Sequence, residues 1–196
     1  NNSLASMITV ISTAAQETSD SDMAEALTVC ERRCRNMGAF ITKFASAVKI
    51  PEPVRVNVDL TYMLRSWLPT FESICATTGA RFTMTLPEYE IMVMIDSVQI
   101  EQALINIVKN AAESTGEGGE VSLKFEKQGP TITITDNGPG ISPEASGMLF
   151  VPFFTTKPSG HGFGLLLVSE VLNAHQCRFS LETASDGLTR FRIRFV

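Results

Sequence analysis

The spacing of apolar residues changes near position 50. Before it, apolar residues recur every three or four positions, which predicts amphipathic helices. The polar run 18–22 (Thr-Ser-Asp-Ser-Asp) predicts a turn and a helix N-cap between two such helices. The stripe of the first helix is Leu4, Met7, Ile8 and Ile11. The stripe of the second is Met23, Ala26, Leu27, Cys30, Cys34, Met37, Phe40, Ile41 and Phe44. Two helices joined by a short loop form an antiparallel hairpin.

Such a hairpin cannot bury both faces of its apolar stripe alone. The pattern favours dimerisation into a four-helix bundle, and the alternative is that the hairpin packs against its own C-terminal domain. The segment 49–53 (Lys-Ile-Pro-Glu-Pro) predicts a domain boundary, because its two prolines prevent the helix from continuing. We therefore expect a helical domain over 1–50 and a second domain over 51–196.

After the boundary, alternating and helical patterns are mixed. Strands are predicted at 54–58, 81–86, 91–95, 121–126, 131–135, 178–183 and 188–195, and helices at 60–79, 96–114 and 163–174. Asp59 and Asp96 are expected to cap their helices, Pro69 to kink the first of them, and His175 to cap the end of the last. The turns at 128–130 and 185–187 predict two hairpins. The whole chain is therefore expected to be α+β, with an α/β sandwich whose sheet is covered by helices on one face.

Composition narrows the class of protein. The chain has 196 residues, of which 44% are hydrophobic and 19% charged, as in an ordinary soluble protein. The net charge of −5 argues against nucleic-acid binding. No signal peptide and no run of about 20 apolar residues is present, so we expect a cytoplasmic segment without membrane contact. The four cysteines are expected to be buried, reduced thiols, because His161 and His175 lie too far away to complete a zinc site with Cys30 and Cys34.

The predicted helix 96–114 carries a polar stripe beside its apolar one. Asparagine is a poor helix former, so two asparagines one turn apart indicate a function. Amide oxygens can ligate Mg²⁺, and a lysine beside them can contact a phosphate. An ordinary solvated polar face explains the stripe equally well. The stripe consists of Gln102, Asn106, Lys109, Asn110 and Glu113.

Two glycine-rich segments adjoin predicted elements. The segment 136–140 (Asp-Asn-Gly-Pro-Gly) follows a strand, where Asp136 could accept a hydrogen bond from an amine and Gly138 and Gly140 would let the backbone approach a ligand. The segment 160–165 (Gly-His-Gly-Phe-Gly-Leu) opens a helix, so its backbone amides could bind a phosphate. It has neither the Walker lysine nor the Rossmann context. His161 is either a catalytic base or, as we favour, a loop residue.

Together these segments resemble the motifs of bacterial sensor histidine kinases. Residues 102–113 resemble the N box, 136–141 the first glycine box, 149–157 (Leu-Phe-Val-Pro-Phe-Phe-Thr-Thr-Lys) the F box, and 160–165 the second glycine box. The four motifs occur in family order. Residues 54–196 are therefore similar to the catalytic ATP-binding domain of the GHKL superfamily, which implies a Bergerat-type ATP-binding fold with ATP and Mg²⁺ as ligands.

The resemblance extends to the start of the sequence. Residues 1–4 (Asn-Asn-Ser-Leu) resemble the end of the family's H box, which implies that 1–50 is the dimerisation and phosphotransfer hairpin. The phosphoaccepting histidine would then lie three residues before Asn1. Asn2 matches the asparagine that orients the water attacking a phospho-aspartate of the response regulator. The alternative is that Asn2 is an ordinary helix-start residue.

The resemblance also implies roles for individual residues. Asp136 would bind the adenine amine, with Thr189 supporting it through water. Asn110 would bind Mg²⁺ and Asn106 would lie beside the phosphates. The other nucleotide-binding residues implied are Lys109, Gly138, Gly140, Ile141, Thr155, Thr156, Lys157, Gly160, His161, Gly162, Phe163, Gly164 and Leu165. Residues 142–159 would form a mobile lid.

Asn106 occupies the position at which hydrolytic members of the superfamily have a glutamate base. An amide cannot deprotonate water, so the resemblance implies phosphoryl transfer to histidine rather than ATP hydrolysis. The function implied is that of a homodimeric sensor histidine kinase that passes its phosphoryl group to a response-regulator receiver domain. The alternatives are a degenerate nucleotide-binding interaction module and a GHKL-type serine kinase.

Overall fold

The computed structural model of the chain describes residues 2–47, 50–126, 129–152, 154–157 and 162–196, with no side-chain description for 2–4 and 36–47. The chain divides into two compact units, Asn1–Pro51 and Glu52–Val196. The division falls after Pro51, within the proline-containing segment 49–53.

The first unit is a pair of helices, α1 (Asn2–Glu17) and α2 (Ser21–Ala47). Asp20 caps α2, because its Oδ1 accepts hydrogen bonds from the backbone N–H groups of Asp22 (2.9 Å) and Met23 (3.1 Å). Over residues 5–35, every side chain is at least partly exposed in the single chain. The two helices contact each other, as the predicted helical hairpin requires. Over residues 5–35 this hairpin has no buried core of its own.

The cysteine prediction holds for only part of the chain. Cys75 and Cys177 are buried in the second unit, whereas Cys34 is half-buried and Cys30 is exposed. The expectation of a buried thiol is therefore wrong for Cys30 in the single chain, because it lies on the uncovered surface of the helix pair. All four are free thiols.

The second unit combines strands and helices in the predicted order, with small shifts at the ends. Its strands are β1 (Val56–Asp59), β2 (Arg81–Thr85), β3 (Met92–Ile95), β4 (Glu120–Glu126), β5 (Thr131–Asp136), β6 (Arg178–Thr183) and β7 (Thr189–Arg194). Its helices are α3 (Leu60–Ala76), α4 (Ser97–Thr115), α5 (Pro143–Ser146) and α6 (Gly164–Ala174). The short helix α5 lies in the segment expected to be irregular, and Ser142 caps it by accepting from the N–H of Ala145.

The sheet has five strands in the order β2-β4-β5-β7-β6. β2 runs parallel to β4, and the remaining neighbours are antiparallel. β1 and β3 instead form a separate two-stranded antiparallel ribbon, so the expectation of one sheet is wrong for these two strands. β1 begins at Val56, and the N–H of Val54 before it donates to Asp96 Oδ2 (3.1 Å). The α+β architecture itself is as predicted.

Helix α4 lies at the centre of the helical layer, between α3 and α6, and packs on β4 and β5. Its apolar stripe is buried as expected: Ile100, Ala103, Leu104, Ile107 and Ala111. The side chains of Leu123, Ile134 and Phe191 are register partners on adjacent strands and are buried as well. The core of this unit therefore lies between α4 and the middle of the sheet, and the polar stripe of α4 is left at the edge of that core.

Side-chain caps form at the starts of α3 and α4 and at the end of α6. Asp59 caps α3 and Asp96 caps α4, each through Oδ1, as predicted. His175 caps the end of α6 and is buried. Its Nδ1 donates to the carbonyl of Val171 (2.8 Å), so its Nε2 can accept from the backbone N–H of Asp96 (3.0 Å). One imidazole therefore joins the end of α6 to the start of α4. Over the described residues, no helix is both long and apolar enough to cross a membrane.

Candidate functional site

A cavity of about 590 Å³ opens between α4, the ends of β5 and β7, and the start of α6. Its lining includes most of the side chains singled out in the sequence: Asn106, Lys109, Asn110, Asp136, Gly140, Ile141, Thr155, Thr156, Lys157, Gly162, Phe163, Gly164, Leu165 and Thr189. These residues come from five separate stretches of sequence. The fold brings them together because α4 crosses the sheet where β5 ends.

Some predicted site residues are not part of this lining. Gly138 lies behind Asp136 and is not among the residues that border the cavity. Gly160 and His161 lie outside the described residues, as does Phe153 of the F-box segment. Asn2 is the first residue of α1 in the other unit, and its side chain is not described.

Asp136 is the last residue of β5 and is 7% exposed. Burial raises the pKa of its carboxyl group, because the charged form loses hydration. Three neighbours oppose this shift: the backbone N–H of Gly138, which donates to Oδ1 (3.0 Å), the charge of Lys157 and the side chain of Ser114. The site thus contains a buried carboxyl group surrounded by groups that favour its ionised form.

The glycine at 138 makes room for a neighbouring side chain. A Cβ atom at this position would lie 2.4 Å from Ser114 Oγ and 2.9 Å from Asp136 Oδ1. The missing side chain therefore makes room for α4 and for the hydroxyl group of Ser114. The expected approach of this backbone to a ligand stays a prediction.

The glycine at 140 shapes the opposite wall. It has a φ of +84°, which favours glycine, and a Cβ there would lie 3.1 Å from Thr183 Cγ2. The N–H of Ile141 donates to Thr183 Oγ1 (2.8 Å), and that hydroxyl lies 3.2 Å from Thr189 Oγ1. Thr183 thus anchors the Gly140–Ile141 backbone beside Thr189. Sequence analysis missed Thr183, although its pairing with Thr189 across the predicted hairpin was a usable signal.

The two asparagines of α4 face the start of α6. Asn106 Nδ2 donates to the carbonyl of Gln102 (2.9 Å), which leaves Oδ1 directed away from its own helix. A Cβ atom on Gly164 would lie 3.6 Å from both Asn106 Oδ1 and Asn110 Nδ2. The polar stripe therefore borders a cavity and is covered in part by the first turn of α6. This placement goes beyond the solvated face that the sequence left open.

A charged group was overlooked on the same helix. Glu113 Oε2 lies 2.6 Å from Lys157 Nζ, and Glu113 Oε1 lies 3.9 Å from Lys109 Nζ. Both lysines are those predicted to contact phosphates. Glu113 connects them, and it links α4 to the segment that follows Phe154. Glu113 was expected to lie in the polar stripe and the N-box segment, but its pairing with the two lysines was not predicted.

Comparison with known proteins identifies the type of domain. The family model described as histidine kinase-, DNA gyrase B-, and HSP90-like ATPase matches residues 95–196. The chain is 27% identical over 179 residues to the sensor protein VanSB of Enterococcus faecalis, covering 85% of this chain and 40% of that protein. It is 34% identical over 123 residues to the sensory histidine kinase/phosphatase NtrB of Vibrio alginolyticus, covering 56% of this chain and 34% of that protein.

Solved structures lead to the same conclusion. The catalytic domain of histidine kinase ThkA is 27% identical and superposes with a TM-score of 0.62, over 71% of this chain and 93% of that one. The mycobacterial sensor histidine kinase MprB is 27% identical with a TM-score of 0.59, over 73% of this chain and all of that one. With the family model covering more than half of its length, the chain belongs to the family of histidine kinase-, DNA gyrase B- and HSP90-like ATPases.

Proposed function

We propose that this chain is the kinase core of a two-component sensor histidine kinase, which transfers the γ-phosphoryl group of ATP to a histidine and then to an aspartate of a response regulator. The chain spans 40% of the length of VanSB and 34% of that of NtrB. The activity of the whole protein is therefore part of what we propose. The observation that carries it is the cavity that the buried Asp136 lines together with the asparagine and lysine side chains of α4.

We assign the adenine end of the nucleotide to the part of the cavity that Asp136 and Thr189 line. Asp136 accepts a hydrogen bond from the exocyclic amine, and Thr189, its register partner on β7, supports the base through water. Thr183 contributes by holding the backbone of Ile141. The buried carboxylate makes this contact selective for a ligand that presents a donor.

The phosphates are assigned to the polar rim. Lys109 and Lys157 supply positive charge, and the first amides of α6, at Gly164 and Leu165, supply donors at a helix N-terminus. Gly162, Phe163, Thr155 and Thr156 complete this side of the cavity. Gly160 and His161 are assigned to the same phosphate-binding segment from the motif alone.

The donors in the cavity fit a magnesium ion that accompanies ATP. Asn110 offers a neutral amide oxygen, and Mg²⁺ in nucleotide sites commonly takes few protein ligands besides phosphate oxygens and water. The ion supplies neutralisation of the charge that develops on the phosphates during transfer. Asn110 is the proposed protein ligand.

The side chains present favour transfer to a histidine over hydrolysis. Asn106 has an amide where a water-activating base would be needed, and an amide does not accept a proton at neutral pH. An imidazole nitrogen is already nucleophilic. It forms a bond to the γ-phosphorus while the bond to the bridging oxygen breaks, ADP leaves with that oxygen, and the second ring nitrogen releases its proton. Asn106 aligns the phosphate during this step.

We assign the helix pair to dimerisation and phosphotransfer. We place this part of the protein in the cytoplasm. Over residues 5–35 no side chain of the single chain is buried, which a four-helix bundle of two chains would remedy. Asn2 is assigned to orienting the water that dephosphorylates the response regulator. In the full-length protein, Asn2→Ala is expected to lose phosphatase activity and keep autophosphorylation. Wild-type phosphatase rates in this variant would remove Asn2 from the mechanism.

Two measurements test the proposal. Calorimetry with ADP and Mg²⁺ tests the site: Asp136→Ala should weaken binding at least tenfold, because a hydrogen bond to a charged group is lost, whereas the exposed Asp186→Ala should not. The reaction requires the phosphoaccepting histidine and is tested in the full-length protein. Incubation with γ-labelled ATP should yield an acid-labile phosphohistidine that transfers to a receiver domain. Binding without any labelled protein would instead favour a degenerate nucleotide-binding module, and acid-stable phosphoserine on a partner would favour a serine kinase.

A further inference from the structure

The side chain of Ser114 lies in the last turn of α4, next to the adenine end of the cavity. Its hydroxyl oxygen is where a side chain at residue 138 would otherwise be, 2.4 Å from the position of the missing Cβ. Oδ1 of Asp136 is 2.9 Å from the same point. Glycine at 138 thus places the serine hydroxyl next to the buried carboxyl group.

We propose that Ser114 is a positioning residue that determines base specificity: its hydroxyl group, lying in the space left by Gly138, orients the Asp136 carboxylate for an amino group. This inference rests on the proposed function of the cavity as a nucleotide site. The backbone N–H of Gly138 holds Oδ1 from one side (3.0 Å), and the hydroxyl group of Ser114 on α4 lies beside the same carboxyl group. Two donors on different elements fix the plane of the carboxylate better than one.

The charge state of Asp136 decides which base is accepted. An ionised carboxylate accepts hydrogen bonds only, so it suits the amino group of adenine and repels the carbonyl oxygen that guanine has at the same position. A protonated carboxyl group could donate to that carbonyl. Burial raises the pKa of Asp136, and the side chain of Ser114 acts against this shift. The serine therefore favours adenine by keeping the proton off.

Other charged groups near Asp136 must be considered. Lys157, on the segment after Phe154, also lowers the pKa of Asp136. Glu113 and Lys109 of α4 border the same cavity. Glu113 forms ion pairs with both Lys157 and Lys109. The neighbouring strands place Val121 and Thr189, both uncharged, opposite Asp136. Among the described residues, Ser114 is the uncharged side chain that lowers the pKa of Asp136, so its effect does not depend on Lys157, for which phosphates would compete.

The test uses the whole chain and three variants: Ser114→Ala, which removes the hydroxyl group, Ser114→Thr, which keeps it, and Ser73→Ala, an exposed serine on the neighbouring α3. ADP and GDP binding is measured by calorimetry between pH 5 and 8. Ser114→Ala should bind ADP about tenfold more weakly at neutral pH, lose part of its preference over GDP, and shift the acid limb of ADP binding to higher pH. Ser114→Thr should retain wild-type behaviour, and thermal unfolding shows whether each variant is folded.

A second readout needs no nucleotide. The carboxyl ¹³C shift of Asp136, followed by NMR through a pH titration, should report a higher pKa in Ser114→Ala than in the wild type and in Ser73→Ala. An unchanged pKa together with unchanged ADP and GDP affinities would overturn the role of Ser114 while leaving nucleotide binding intact. Failure of the wild-type chain to bind ADP would instead overturn the proposed function, and this inference with it.

Discussion

Lys157 Nζ lies 2.6 Å from Glu113 Oε2, across 44 positions of sequence. This ion pair joins α4 to the segment that leads into residues 158–161. Both side chains are about one third exposed, so the pair is only partly shielded from water. In the proposed function, the phosphates of ATP compete with Glu113 for the same ammonium group.

Replacement of Glu113 by Gln is therefore expected to strengthen ATP binding. The change removes a negative charge from the rim and frees Lys157 and Lys109 for the phosphates. We expect a three- to tenfold lower Kd at low salt, or about 1 kcal/mol, and a smaller gain at 0.5 M salt. Calorimetry measures both, with Glu117→Gln, an exposed carboxylate just beyond α4, as the matched control. Weaker binding would mean that Glu113 is needed to hold Lys157 in place.

The buried carboxyl group of Asp136 should reduce the stability of the ligand-free chain. Its pKa is raised by burial, so the folded state binds the proton more tightly than the unfolded state does. Stability contributed by the protonated form is then complete below the ordinary aspartate pKa and is lost as pH rises through the raised value. Asp136→Asn, which carries no charge, should lack this loss.

Urea unfolding at pH 4 and at pH 7 checks the expectation. Compared with the wild type, Asp136→Asn should gain stability on going from the lower to the higher pH, while Asp186→Asn, at an exposed carboxylate paired with Arg190, should not gain. A wild-type pH dependence in Asp136→Asn would contradict it. The same variant should bind ADP poorly, so the site would be stabilised at the expense of function.

His175 is predicted to be the main structural residue at the end of α6. His175→Ala leaves the N–H of Asp96 without its buried acceptor and removes a buried ring, so we expect a loss of about 2–4 kcal/mol in the free energy of unfolding. Urea titration of the whole chain measures it, with the exposed Asn173→Ala as control. A loss below about 0.5 kcal/mol would show that the hydrogen bond between the two helices adds no stability.

Local patterns predicted the secondary structure well where they were strong. The strand at 178–183 has the predicted ends, and the caps at Asp59 and Asp96 form as the residue types indicate. The separate ribbon of β1 and β3 was not predictable, because alternation identifies a strand and not its partner. The same alternation is compatible with a place in either sheet.

The site was predicted from its motifs, but its internal contacts were not. Helical periodicity predicted that Asn106, Asn110 and Glu113 lie on one face, because residues three or four positions apart share a face of a helix. The pair between Glu113 and Lys157 and the contact between Ser114 and Gly138 depend on how α4 crosses the sheet. That crossing is set by packing over the whole core, which a sequence pattern does not specify.

The last prediction concerns the helix pair and the thiols. Burial raises the pKa of Cys75 to about 11 and of Cys177 to about 12, so both should be almost unreactive with thiol reagents in the folded protein at pH 8. Cys30 is exposed in the single chain, yet it belongs to the apolar stripe that the proposed dimer would cover. Its labelling should therefore be fast in dilute protein and should slow down as concentration rises and chains associate.

Sedimentation measures the association directly, and Cys30→Ser identifies the fast phase of labelling. A Cys30 rate that does not change with concentration, in a chain that sediments as a monomer at micromolar concentration, would contradict dimerisation through this stripe.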